Sequence, residues 1–264
     1  MNKHTIKFSS QHHLLKAMGL TSSSYYHFTM KKTYFNWSSG KDAALAFHKL
    51  KQDQNYNIDL LVTATNKDKN RVSMHGLRDE LLKLQVEKLN LPLYKIELPE
   101  KLDMEKYDFE VAKVVKELKS KGYNHCGFGD IFLEDLRKYR EDQLNPLGLE
   151  LHFPLWKQNT KETINEFIDL GFKAIIICTS DSMIDSKFLG REITKELIEE
   201  LPASVDPCGE NGEFHTFCYA GPIFDSEIKF TLGERVYREY PNTAEDKDSI
   251  PNYGFWYQDL IPVP

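Results

Sequence analysis

The sequence predicts an α/β protein built on a parallel sheet, on three observations. Strand and helix signals alternate from Tyr34 onward. The run Ile58 to Ala64, IDLLVTA, is nearly continuous in apolar residues, as a strand buried on both faces should be. From Phe214 the alternation gives way to short β-prone runs, which argues for a second, smaller unit after the first.

Each element has its own signal. Tyr34 to Leu50, YFNWSSGKDAALAFHKL, reads as a short apolar strand, a tight turn and a helix that opens at once. After Ile58 to Ala64 comes a polar loop from Thr65 to Ser73, then a helix from about Leu77 to Leu89 with Leu77, Leu81, Leu84 and Lys88 on one face. Asn90, Leu91 and Pro92 end it, and Leu93 to Leu98 forms a third strand. A helix over Tyr107 to Ser120 carries Val111, Val114, Val115 and Leu118 at helical spacing; Gly122 closes it before the strand His125 to Phe128. Another helix covers Leu133 to Leu144, and Asn145, Pro146, Leu147 and Gly148 form a hinge. Beyond the hinge come Leu151 to Phe153, a helix from Thr160 to Leu170, the strand Lys173 to Thr179 and a helix over Arg191 to Leu201. The late strands are Phe214 to Ala220, Glu227 to Thr231, Arg235 to Tyr240 and Phe255 to Ile261. Asn242 to Asn252 reads as a polar loop, and residues 1–29 as a disordered or mis-started extension. This divides the chain into 1–29, a nucleotide-binding domain over 30–145 and a substrate domain over 146–264.

Composition narrows the function classes. With 34 basic and 40 acidic residues the net charge is −6, which argues against broad nucleic-acid binding. The strongest apolar run, Ala174 to Cys178, is strand-sized, so no membrane partner is expected. Cys126, Cys178, Cys208 and Cys218 show no CxxC pair and no zinc spacing, which fits reduced thiols in the cytoplasm.

Two clusters carry chemistry. In the turn Ser38, Ser39, Gly40, Lys41 and Asp42, a helix N-terminus offers free N–H groups, Gly40 admits a close anion, Lys41 supplies an exposed loop charge, and the serines donate hydroxyls. That is a polyphosphate site in outline, though not a Walker A loop; the bland alternative is a capped strand-to-helix turn. Thr65 and the pair Gly129–Asp130 also lie at carboxyl ends of strands, where open α/β sheets gather ligands. The second cluster runs from Asp206 to Thr216, DPCGENGEFHT, where Pro207, Gly209 and Gly212 argue for a folded loop. Glu210, Glu213 and His215 suit Mg²⁺ coordination or the handling of an amine and its proton, or else are solvated acids of a turn. His75, in a Met-His-Gly turn, faces adenine or phosphate or is structural. Arg137 and Arg140 clamp a substrate anion or pair with Glu134 and Glu141. Trp37 and Trp156 are core or pocket walls.

The turn SSGKD resembles the SGGKDS loop of the PP-loop ATP pyrophosphatases, with Ser39 in place of a glycine and Ala43 in place of the last serine. SSGKD at 38–42, SMHG at 73–76, FGDI at 128–131 followed by LEDLRKYRE, and PCGENGEFHTF at 207–217 occur in the order found in the diphthine-ammonia ligase family. The resemblance covers Lys32 to Phe224. It implies a Rossmann-like PP-loop domain, adenine nucleotide α-hydrolase-like, followed by a smaller α+β family-specific domain. It also implies ATP and Mg²⁺ as cofactors, the metal reached through Asp42 or Asp130, and a carboxylate acceptor, small molecule or protein, joined to ammonium. By residue, Ser38 to Asp42 match the pyrophosphate loop, Gly129 and Asp130 the GD segment, and Glu210, Gly212 and Glu213 the GExGE loop. Asn211 stands for a glycine and His215 for a glutamate, a variant similar to the bacterial branch, so the acceptor need not be diphthine. The expected chemistry is attack of a carboxylate on the α phosphate of ATP, loss of pyrophosphate, and displacement of AMP by ammonia. Lys41 would stabilise the leaving charge, and Glu213 or His215 would handle the ammonia proton. A PP-loop enzyme acting on RNA and a non-catalytic nucleotide sensor are the competing readings, and a homodimer is left open.

Overall fold

A computed structural model of the protein describes residues 30–73, 75–99, 103–240 and 253–263. The extension expected over residues 1–29 and the polar loop expected from Asn242 to Asn252 lie outside them. The apolar runs of the first half form one sheet from β1 (Lys31–Asn36), β2 (Tyr56–Asn66), β3 (Arg71–Val72), β4 (Leu93–Leu98), β5 (His125–Gly127) and β6 (Glu150–His152). β1 pairs in parallel with β2 and β5, β2 with β4, and β5 with β6. The parallel strands therefore lie in the spatial order β4, β2, β1, β5, β6. Chain order reverses between β1 and β5, the place where doubly wound folds open a crevice for ligands. The two-residue β3 adds antiparallel to the end of β2.

The crossover helices follow their apolar stripes. α1 (Lys41–Gln52) buries Ala43, Ala44, Leu45, Ala46, Phe47 and Leu50. α2 (Asp79–Leu89) buries Leu81, Leu82, Gln85 and Leu89, so the buried stripe passes through Gln85 and not through Lys88. α3 (Met104–Ser120) buries Val111, Val114, Val115 and Leu118, the four valine and leucine positions the spacing singles out. α4 (Glu134–Leu144) runs into a single 3₁₀ turn, Asn145–Leu147, closed by Gly148 at φ +78°.

β6 lies beyond that hinge and still pairs with β5, so the change of sheet falls after His152 and not at residue 145. The second sheet is antiparallel, in the order β8 (Phe214–Ala220), β7 (Lys173–Ser180), β10 (Tyr253–Pro262), β9 (Phe230–Tyr240). α5 (Thr160–Asp169) precedes it and the short α6 (Lys195–Glu200) interrupts it. The helix expected from Arg191 starts only at Lys195. Glu192 bridges to Ile175 in β7, and the Thr194 side chain accepts from Leu197 N at 3.2 Å, which fixes the helix start there. The two late runs expected at Glu227 to Thr231 and Arg235 to Tyr240 are largely one strand, β9. One apolar cluster, from Phe35 and Phe47 through Ile176 and Phe217, joins both sheets, and residues 31–264 form one compact unit. Among the described residues no helix is long and apolar enough to cross a membrane. All four cysteines are buried free thiols.

Candidate functional site

The turn after β1 sits at the reversal of strand order, and it is built from both halves of the chain. Asn36 donates from Nδ2 to Gly127 O at 3.2 Å, tying the ends of β1 and β5 together. Thr63 Oγ1, on β2, donates to Trp37 O at 2.7 Å. Gln85 is fully buried; it accepts from Trp37 Nε1 at 3.0 Å and donates to Ser39 O at 3.0 Å and Cys218 O at 2.6 Å. Cys218 N donates to Ser39 O at 2.9 Å, and Lys41 N to Thr216 Oγ1 at 3.1 Å. β8 therefore forms one wall of the loop. Ser39 adopts φ +73°, a left-handed backbone that costs an L-residue roughly 1–2 kcal/mol, which accounts for glycine at the matching place of the pyrophosphate loop it resembles.

Lys41 is not an exposed loop charge. It is 2% exposed, and its ammonium donates to both Asp42 oxygens, at 3.0 and 2.8 Å, and to the Cys208 carbonyl of the 206–213 loop. Burial alone would lower its pKa, but Asp42, Cys208 and Glu210 outweigh burial and hold it above the usual lysine range. Burial pushes the Asp42 carboxyl up against the pull of Lys41. Glu210 rises from the ordinary 4.5 to about 7, first through burial and then through the charge of Asp42, although Ile131 N donates to its Oε1 at 2.7 Å.

The other expected residues divide. Gly129 packs against the helix start: a Cβ there would lie 2.9 Å from Ala43 N and from Asp42 C, so only glycine lets the chain leaving β5 approach α1 so closely. Asp130 is held by Arg140, with Oδ2 accepting from Nε at 2.8 Å and Oδ1 from Nη2 at 3.1 Å. That pairing uses the charge expected for a metal and the one expected for a substrate. Arg137 pairs with Glu141 at 2.7 Å and lies over Phe153 and Trp156, so it too is engaged within the protein. Glu213 is 1% exposed, and its carboxylate accepts from Asp206 N at 2.9 Å, Asn211 N at 2.9 Å and Asn211 Nδ2 at 3.0 Å. Glu213 and Asn211 thus latch their own loop, and Gly212, at φ +88°, makes the turn. Thr65 is buried inside the ladder, paired with Val72 and Glu97, and not at a crevice. Spacing also gave no sign of Thr63, Gln85 and Thr216, whose roles depend on partners far away in sequence.

His75 and His215 do meet. Their rings stack at 4.6 Å, 18° apart, and His75 Cε1 lies 3.4 Å from the point where a Cβ on Gly40 would stand. Burial, then its neighbours His215 and Lys41, holds His75 well below the usual range; burial, then Lys41, lowers His215 to about 4. Both rings are neutral near pH 7. Among the described residues, two buried polar atoms beside this turn, Ser39 Oγ and His75 Nδ1, have no hydrogen-bond partner, while Ser38 Oγ accepts from Gly40 N at 3.4 Å. The site thus combines a helix N-terminus, a buried ammonium, two unmatched polar atoms and two carboxylates that repel each other. A hydrated Mg²⁺ carried by phosphates needs only one or two carboxylates; of the two expected, Asp42 lies in this turn, while Asp130 is paired with Arg140.

Both halves of the chain are similar to known proteins. Residues 30–151 match the diphthamide synthase N-terminal domain and residues 159–245 the diphthamide synthase C-terminal domain. A diphthine–ammonia ligase of Mus musculus is 31% identical over 133 residues, 48% of this chain and 49% of that protein. The Homo sapiens protein of the same name is 31% identical over 134 residues, 48% of this chain and 49% of its own. That of Schizosaccharomyces pombe is 25% identical over 172 residues, 60% of this chain and 28% of its own. The chain aligns with about half the length of the mammalian relatives.

Proposed function

Because the chain belongs to the diphthamide synthase family, both of whose domains it matches in order, we propose that it is a cytoplasmic ATP-dependent carbon–nitrogen ligase. A carboxylate oxygen attacks the α phosphorus of ATP and the bond to the β phosphate breaks, releasing pyrophosphate. Ammonia then attacks the acyl carbon, and the C–O bond breaks to release AMP. The observation that carries this reading is the buried Lys41 ammonium at the N-terminus of α1, at the reversal of strand order, beside two polar atoms without partners. Lys41 exchanges the Cys208 carbonyl for phosphate oxygens and stabilises the charge that grows on the departing pyrophosphate. Mg²⁺ bound with the nucleotide would neutralise phosphate charge beside Asp42. Glu210, with its pKa near neutrality, takes the proton that ammonium or the attacking amine gives up.

The acceptor is a carboxylate, and we place it outside diphthine. Where the resembled diphthamide enzymes carry a glutamate, this chain carries His215, neutral and stacked on His75, so the wall that reads the acceptor loses a charge. The test is release of AMP and pyrophosphate from ATP, dependent on ammonium, against a panel of small carboxylates and of elongation factor 2 bearing diphthine. Lys41→Met should lower turnover about 10²–10³-fold. Turnover unchanged in that variant would remove Lys41 from the reaction, no turnover with any acceptor would favour a nucleotide sensor, and amidation of diphthine would overturn the choice of acceptor. A thiol-dependent reaction on RNA has little support, since burial raises the pKa of every cysteine.

A further inference from the structure

We propose that the outer edge of the parallel sheet, away from the Lys41 turn, holds a divalent transition-metal ion of the Zn²⁺ class on His125, His152 and Glu150. In the β5–β6 ladder His125 pairs with Glu150 and Gly127 with His152, so the three side chains share one face of the sheet. Their ligand atoms lie within 4.8 Å of one another: His125 Nδ1 is 3.1 Å from His152 Nε2 and 3.5 Å from Glu150 Oε2, and His152 Nε2 is 3.9 Å from Glu150 Oε1. A tetrahedral site with bonds of about 2.0–2.1 Å has ligand–ligand edges of about 3.3 Å. The two imidazole nitrogens meet that spacing, and Glu150 turns a different oxygen to each of them, so a small rotation of its exposed carboxylate would complete one triangular face of such a site, with the fourth position left to water. This is the only such group of three among the described residues. Two imidazoles and one carboxylate are borderline ligands that suit Zn²⁺ and disfavour Mg²⁺.

The surroundings fit a held ligand set. Tyr56 packs its ring 4.5 Å from that of His152, and both histidine side chains are nearly buried while Glu150 is more than half exposed. The competing cation is Lys31, whose ammonium is 3.4 Å from Glu150 Oε1. Bound metal would tie the edge strand β6 to β5. The proposal is independent of the ligase reading, because these residues take no part in the Lys41 turn.

The test is titration of the metal-free full chain with Co²⁺ and then Zn²⁺. One Co²⁺ per chain should bind with the visible absorption of a four-coordinate N/O site, be displaced by one equivalent of Zn²⁺, and persist in excess Mg²⁺. Glu150→Gln, a change at an exposed side chain, and His125→Gln should each weaken binding at least tenfold with unchanged circular dichroism. Lys31→Gln should strengthen it. The combined variant His4→Gln, His12→Gln and His13→Gln should bind as the parent does. Absence of Co²⁺ binding, or binding that is lost only in the N-terminal variant, would overturn the proposal and leave a plain hydrogen bond between His125 and His152.

Discussion

Glu210 shows most directly how a single side chain is set by its surroundings. In the unfolded chain its carboxyl titrates near the ordinary 4.5, and in the fold burial and Asp42 raise it to about 7. Below pH 4.5 it is neutral in both states. Between pH 4.5 and 7 the unfolded chain gives up this proton while the fold keeps it, so this group's share of stability falls across that window and is lost above it. Glu210→Gln keeps the acceptor for Ile131 N and removes the charge. Thermal melts should show the variant equal to the parent near pH 4.5 and more stable at pH 8. If Glu210 is the proton acceptor, parent turnover should also rise with pH through 7, and the variant should be slow and flat. A variant no more stable than the parent at pH 8 would mean that the Glu210 charge is well solvated in the fold. At this scale the sequence was legible wherever the residue type already limits the chemistry: Lys41 at a helix start suggests a phosphate ligand before any geometry is known, though not its burial. It was not legible for Glu213, because which neighbour takes a carboxylate depends on the loop path. Asn211, two residues away, takes both of its oxygens.

Elements were legible where one periodicity ruled them. The buried stripe of α3 and the apolar run of β2 follow from spacing alone, since each element has one environment along its length. α2 escaped this logic because its buried stripe includes a polar residue, Gln85, held by partners from the turn after β1 and from β8 that local spacing does not reveal. The junction of the sheets rests on a similar long-range contact. On β10, Asp259 accepts from Arg71 Nη1 at 3.0 Å through Oδ1 and from Arg78 Nη2 at 2.6 Å through Oδ2, while Tyr257 packs so closely that a Cβ on Gly76 would be 3.0 Å from it. β10 thereby holds the turn that presents His75. Burial works against the Asp259 charge, but the hydrogen bonds from Arg78 and Arg71 win and keep the carboxyl below its usual range. Its stabilisation is present above the ordinary carboxylate pKa and is lost as the pH falls. Asp259→Asn should cost about 2 kcal/mol at pH 7, and the gap to the parent should narrow below pH 4, as read by denaturant melts. A constant gap down to pH 3 would mean that packing, and not the charge, is what asparagine disturbs.

At the scale of the whole molecule, two sheets of different kind share one core and one site. The parallel half supplies Ser39, Lys41 and Asp42. The antiparallel half supplies Cys208, Thr216 and Cys218, which complete the hydrogen bonding of the same turn, and Glu210, which accepts from Ile131 N beyond β5. Composition reveals the change from alternating elements to short strands but not that the apolar cluster runs unbroken through it, because a shared core leaves no mark at the boundary in sequence. Phe35 and Phe47 of the first half and Phe214 and Phe217 of the second belong to that one cluster, and Trp37 meets Phe224 edge-on at 6.4 Å. Cutting the chain after residue 158 would expose those faces and leave the Ser39 carbonyl with fewer donors and Lys41 without the Cys208 carbonyl, at a cost comparable to the whole stability of a domain of this size. The unit that begins at Lys31 should therefore unfold in one cooperative calorimetric transition whose van't Hoff and calorimetric enthalpies agree. A fragment ending at residue 158 should show no such transition and should not bind ATP. Two resolved transitions, or a folded fragment that binds ATP, would instead show that the parallel sheet is self-sufficient and that β8 lends the Lys41 turn chemistry without lending it stability.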